Sequence, residues 1–84
     1  FTAQVVTVAE NLSIHPDWLM TVICFETGCS FRANIVNRYS GATGLIQFIP
    51  STAQRLGTTT GQLARLNSVE QLSYVERYFL PYKG

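Results

Sequence analysis

The 84 residues are 46% hydrophobic and only 13% charged, with six Lys/Arg against five Asp/Glu and a formal net charge of +1. That balance argues for a globular domain and against disorder, and the scatter of Arg32, Arg38, Arg55, Arg65, Arg77 and Lys83 argues against a nucleic-acid face. A chain this long makes one small domain that buries about 60–65% of its unfolded surface, and it has no run of about 18 apolar residues to span a membrane. So little charge leaves apolar surface over, to be met by further residues of the same domain or by a second chain.

In chain order, Val5, Val8, Ala9 and Leu12 recur at helical spacing, with Val6 widening the stripe. They predict an amphipathic helix over Thr2–Leu12, although its valines and threonines lower helix propensity. Asn11–His15 is a connector in which His15 reads as a turn residue. Pro16 and Asp17 then open a second helix, since Pro suits the first turn and an acid suits the positive dipole end.

The stretch Trp18–Phe31, WLMTVICFETGCSF, is the centre of the chain. Trp18, Val22 and Phe25 fall at i, i+4 and i+7, with Leu19 and Ile23 beside them, so one face is expected to be apolar and buried. Gly28 closes the helix by supplying a left-handed cap. Glu26 follows Val22 by one turn and Leu19 by two, which sets a carboxyl on that apolar face. There, desolvation and the negative helix end favour the protonated acid, a form able to donate a proton in catalysis. Spacing alone leaves the plainer reading open, a helix-end Glu turned to water. Cys24 and Cys29 flank Glu26 at a spacing that fits neither a zinc knuckle nor a redox pair. Cys24 reads as a small core residue and Cys29 as a turn residue, and a disulfide across a helix end is the less favoured arrangement. Neither a metal nor a cofactor is expected.

Ser30–Thr43 is polar and turn-rich, and a loop of that length in a small domain is usually functional. A short β-hairpin around Ile35 and Val36 is open. Gly44–Ile49, apolar apart from Gln47, reads as a buried helical turn broken by Pro50. Ser51 or Thr52 then caps a short helix that runs to Leu56 and stops at Gly57. Thr58–Asn67 repeats the pattern, with threonine caps followed by Leu63, Ala64 and Leu66. Ser68 and Gln71 have capping-box spacing. They lead a last helix striped with Val69, Leu72, Val75 and Phe79, flanked by Tyr74 and Tyr78, and ended by Pro81. That helix is apolar on more than one side, so one side is expected to await further residues or a second copy. The fold class is mostly α: five or six short helices and at most a small β-hairpin.

The segment FETGCSFRANIVNRYSGATGLIQFIPSTAQRLG resembles the core of the soluble lytic transglycosylase and goose-type lysozyme family, in the wording of its phage-tail members. Glu26, Thr27, Phe31, Gly41, Ala42, Gly44, Leu45, Gln47, Pro50, Thr52 and Ala53 follow the family pattern in order, and the likeness covers roughly residues 15 to 80. It implies a lysozyme-like helical fold with a glycan in its cleft. It also implies that Glu26 protonates the glycosidic oxygen between N-acetylmuramic acid and N-acetylglucosamine of peptidoglycan and then acts as base. Gln47 and the backbone of Gly44 and Leu45 would line the saccharide groove, with Tyr39 and Ser40 on its rim and Thr27 and Phe31 supporting the site. A structural amide is the competing reading of Gln47.

Glycosidases commonly use two carboxylates. The acids here are Glu10, Asp17, Glu26, Glu70 and Glu76, none of them between Thr27 and Val69. A single acid fits attack by the sugar's own 6-hydroxyl, giving a 1,6-anhydro product. An inverting lysozyme-type hydrolase, with a base from elsewhere, is the first alternative. A non-catalytic peptidoglycan-binding or virion structural module is the second. The resemblance further implies that residues 1–84 form a single domain of this type lacking the family's C-terminal helices, completed by further domains or a second chain. Its partner would be a peptidoglycan glycan strand, met from a phage tail at the periplasm or cell wall, or by a secreted bacterial protein.

Overall fold

In a computed structural model, residues 1–82 are described, and they form the mostly helical fold that the periodicity predicts. The helices are α1 (Thr2–Asn11), α2 (Pro16–Thr27), α3 (Pro50–Arg55), α4 (Thr60–Arg65) and α5 (Ser68–Phe79), with a 3-10 turn at Leu80–Tyr82. Helix α1 packs against both α2 and α5, and α3 packs against α4. Val5, Val8 and Ala9 of α1 and its C-cap Leu12 meet Leu19 and Ile23 of α2 and Leu72 and Val75 of α5 in one core, which Leu45, Phe48, Ala53 and Leu63 extend. Each buried Leu, Ile or Phe contributes roughly 1.5–3 kcal/mol, so this dozen residues supplies most of the driving force.

Local signals set several helix ends. His15 is the N-cap of α2, its Nδ1 accepting from the Asp17 N–H at 3.1 Å, and Gly28 closes the helix at φ 63°. Thr59 caps α4 by accepting from the Gln62 N–H at 3.1 Å.

Elsewhere the structure departs from the spacing. The buried face of α2 is Leu19, Ile23 and Thr27, whereas Trp18 is 50% and Phe25 83% exposed. This helix is apolar nearly all round, and the branched side chains fit against α1. Trp18 stays on the rim and meets Phe79 edge-on at 5.8 Å. Gly44–Ile49 is not helical. Thr43 and Phe48 exchange hydrogen bonds (2.9 and 2.8 Å), and residues 44–47 turn between them. The hairpin around Ile35 and Val36 reduces to isolated bridges, Val36 to Thr43 and Thr43 to Phe48. Pro50 opens α3 behind the N-cap Ile49 instead of breaking a helix, so neither Ser51 nor Thr52 caps it. Pro lacks only an N–H that the first turn would leave unpaired. The capping box of α5 is Asn67 and Glu70, one residue earlier than Ser68 and Gln71. On α5 itself, Gln71, Leu72 and Val75 are buried while Val69 is 43% exposed.

Candidate functional site

Glu26 lies in the last turn of α2, half-buried beside the Ile23–Thr27 stripe. Its carboxyl has no hydrogen-bond or ion-pair partner among the described residues. The other acids are placed differently. Asp17 sits by His15 at 3.8 Å, Glu70 closes the capping box, Glu76 accepts from Asn11 Nδ2 at 3.2 Å, and Glu10 is exposed on α1.

The backbone around Glu26 is held tightly. The buried Thr27 hydroxyl donates to the Ile23 carbonyl at 2.7 Å and accepts the Phe31 N–H at 3.1 Å. Ser30 Oγ donates to the Thr27 carbonyl at 2.8 Å. Gly28, Cys29 and Phe31 all take left-handed φ (63°, 61° and 55°), so the chain reverses at once after the helix. Non-glycine residues enter that region at a cost of roughly 1–3 kcal/mol each, and here the Thr27 hydroxyl and a covalent link hold them. The link is a Cys24–Cys29 disulfide, contrary to the expectation of a core thiol and a turn thiol. The reversal at Gly28 and Cys29 brings the Cys29 N–H to the Cys24 carbonyl (2.6 Å), and the two side chains meet beside that bond. Glu26 is therefore bracketed by a cross-link. Phe31 is half-buried against Phe1, edge-on at 6.2 Å, and its carbonyl accepts from Ser68 Oγ on α5.

The remaining expected residues lie on the loop after α2. Gln47, at φ 56°, donates through Nε2 to the carbonyls of Ile35 (3.2 Å) and Gly44 (3.0 Å). Its amide nitrogen is thus a structural brace, and its Oε1 is the end left for a ligand among the described residues. The Gly44 N–H is bound to the Ile35 carbonyl at 2.8 Å, and the N–H of the fully buried Leu45 to Gln71 Oε1 at 2.7 Å. Both turn N–H groups point into the chain. Tyr39 is 87% exposed with the Arg38 guanidinium over its ring (5.4 Å), and Ser40 is exposed. Asn37 Oδ1 orders both by accepting their N–H groups at 2.9 and 3.2 Å. Gln47 also lines a hollow of about 160 Å³ with Ile46, Phe48, Ile49, Thr52 and Tyr78. Glu26 does not line that hollow.

Gln71 is the residue that the capping reading missed. It is fully buried on α5, and it bonds Leu45 N–H, the Ala33 carbonyl (3.0 Å) and the Leu63 carbonyl (2.9 Å). It thereby joins the loop after α2, the 44–47 turn and α4. The signal was present in its spacing: Ser68, Gln71, Leu72 and Val75 run i, i+3, i+4, i+7, a buried stripe with an amide inside it.

The sequence profile of the family described as Transglycosylase SLT domain matches residues 5–77, from α1 through most of α5. Searches of curated proteins and of solved structures return no match.

Proposed function

Since the chain belongs to the transglycosylase SLT domain family, which makes peptidoglycan the substrate polymer and a transglycosylase the kind of enzyme, we propose that it cleaves the glycan between N-acetylmuramic acid and N-acetylglucosamine with Glu26 as its acid and base. The protonated Glu26 gives its proton to the glycosidic oxygen as the C1–O bond breaks. The carboxylate then takes the proton of the muramic 6-hydroxyl as that oxygen bonds to C1. A 1,6-anhydro end leaves, the proton is back on Glu26, and no water is consumed.

One observation carries this reading. Glu26 is the half-buried acid without a partner among the described residues, whereas the other four are exposed or engaged elsewhere. A lone carboxyl supports the intramolecular route, because a retaining pair needs a second one about 5–5.5 Å away. The cross-linked turn supports a fixed acid position. Gln47 Oε1 and the projecting Tyr39 and Ser40 are the sugar contacts that this reading uses.

Glu26→Gln removes a proton donor at constant shape and should lower the release of muropeptides at least ~100-fold, with the circular dichroism unchanged. Mass analysis of the wild-type products should give anhydromuropeptides. Near-normal cleavage by the Gln variant refutes the role of Glu26, and products heavier by one water refute the route.

A further inference from the structure

A second hollow, of about 130 Å³, is lined by Thr52, Arg55, Leu56, Arg77, Tyr78 and Pro81. It shares Thr52 and Tyr78 with the hollow that holds Gln47, so the two lie end to end along one surface. One end is apolar and carries an amide, and the other carries two of the chain's six basic residues.

Those two guanidinium groups have no carboxylate within ion-pair distance among the described residues. No acid lines either hollow. Arg77 is also pre-positioned: its Nη2 donates to the Leu56 carbonyl at 2.9 Å, and its guanidinium lies 5.3 Å from the centre of the Tyr74 ring. Tyr78, between the hollows, is held edge-on by Phe48 at 6.0 Å and Phe79 at 5.1 Å. Two cations without a carboxylate partner among the described residues, one of them oriented by its own contacts, form a receptor for an anion. The planar fork of arginine matches a carboxylate better than it matches a spherical charge.

We infer that the Arg55–Arg77 hollow binds a carboxylate of the short peptides that hang from peptidoglycan glycan strands, while the neighbouring Gln47 hollow meets the sugar. This rests on the glycan-cleavage reading for the identity of the polymer. The consequence is a preference for peptide-bearing over naked strands, set on α3 and α5 instead of at Glu26.

The test separates the two readings. The chain is titrated with synthetic alanyl-γ-glutamyl-diaminopimelyl-alanine and with the same peptide amidated at every carboxyl, and arginine Nε–H resonances are followed. Cleavage of peptide-bearing and amidase-stripped strands is measured in parallel. The free acid should shift the Arg55 and Arg77 signals and the amidated peptide should not. Arg55→Gln should weaken peptide binding about tenfold, the worth of one charge-assisted contact, and should abolish the preference for peptide-bearing strands while stripped strands are cut as before. Arg55 makes no hydrogen bond within the described chain, so its replacement spares the fold, and circular dichroism checks this. Equal binding of the amidated peptide, binding unaffected by Arg55→Gln, or equally strong binding of inorganic phosphate would each overturn the inference. Failure to cut either kind of strand, with peptide binding intact, would overturn the cleavage reading alone.

Discussion

Replacing Gln71 with leucine puts a somewhat larger apolar side chain in its place and removes all its hydrogen bonds. Leu63 retains a second donor, the Leu66 N–H at 3.2 Å. The groups left without a partner are the Leu45 N–H and the Ala33 carbonyl, both on buried residues. Each orphaned buried group costs roughly 1–3 kcal/mol, so the loss should be about 4 kcal/mol. A domain of this length has only about 4–13 kcal/mol of stability in all. With a urea slope near ~1 kcal/mol/M for so small a chain, the midpoint should fall by about 4 M, or the variant should be unfolded from the start. Urea titration followed by far-ultraviolet circular dichroism measures this. Gly44→Ala reaches the same node from the other side. At φ 91°, an added Cβ would collide with Gln71 Oε1 and lie 2.7 Å from its Cδ and Nε2, so the displaced amide loses the same bonds. The two losses should not add in the double variant, as expected of residues in contact. A Gln71→Leu protein within about 1 kcal/mol of wild type would refute the argument, because desolvated groups cannot lose their partners at so small a cost.

The buried face of α2 is tested by a pair of variants: Ile23→Ala should lose about 2–5 kcal/mol, and Phe25→Ser should stay within about 0.5 kcal/mol. The reverse order in a denaturant series would restore the Trp18–Val22–Phe25 stripe. Asn67→Ala should cost about 1 kcal/mol by removing a helix cap, and the same change with no loss of stability would return the box to Ser68. Reducing Cys24–Cys29, or replacing both with serine, should lower stability by about 2 kcal/mol, from the entropy of closing a short loop; a melting curve unmoved by reductant would contradict the pairing.

What the amino-acid order determined by itself was local. Pro16, Asp17 and Gly28 mark helix ends because φ restriction, dipole sign and capping act within a few residues, and the structure keeps those boundaries; the threonines at 58–60 announce a cap, and the structure assigns it to Thr59. The order of Glu26, Gly44, Gln47 and Pro50 likewise carried the family, which is a property of the chain as written. Only the tertiary structure decided between local choices of similar energy. Helix α2 offers two apolar faces, and packing against α1, the helix before it, selects Leu19 and Ile23 over Trp18 and Phe25. Asn67 and Ser68 can both cap α5. The choice falls on Asn67, and Ser68 Oγ instead bonds the Phe31 carbonyl at 3.1 Å, across 37 residues. Spacing sets Gln71 on the buried stripe, but the partners of its amide are illegible for the same reason. A polar residue on an apolar stripe is costly alone, and its partners at Ala33 and Leu45 are 38 and 26 residues away. Residue spacing records what a helix can present, and the energy that selects among its faces comes from groups that only folding brings into contact.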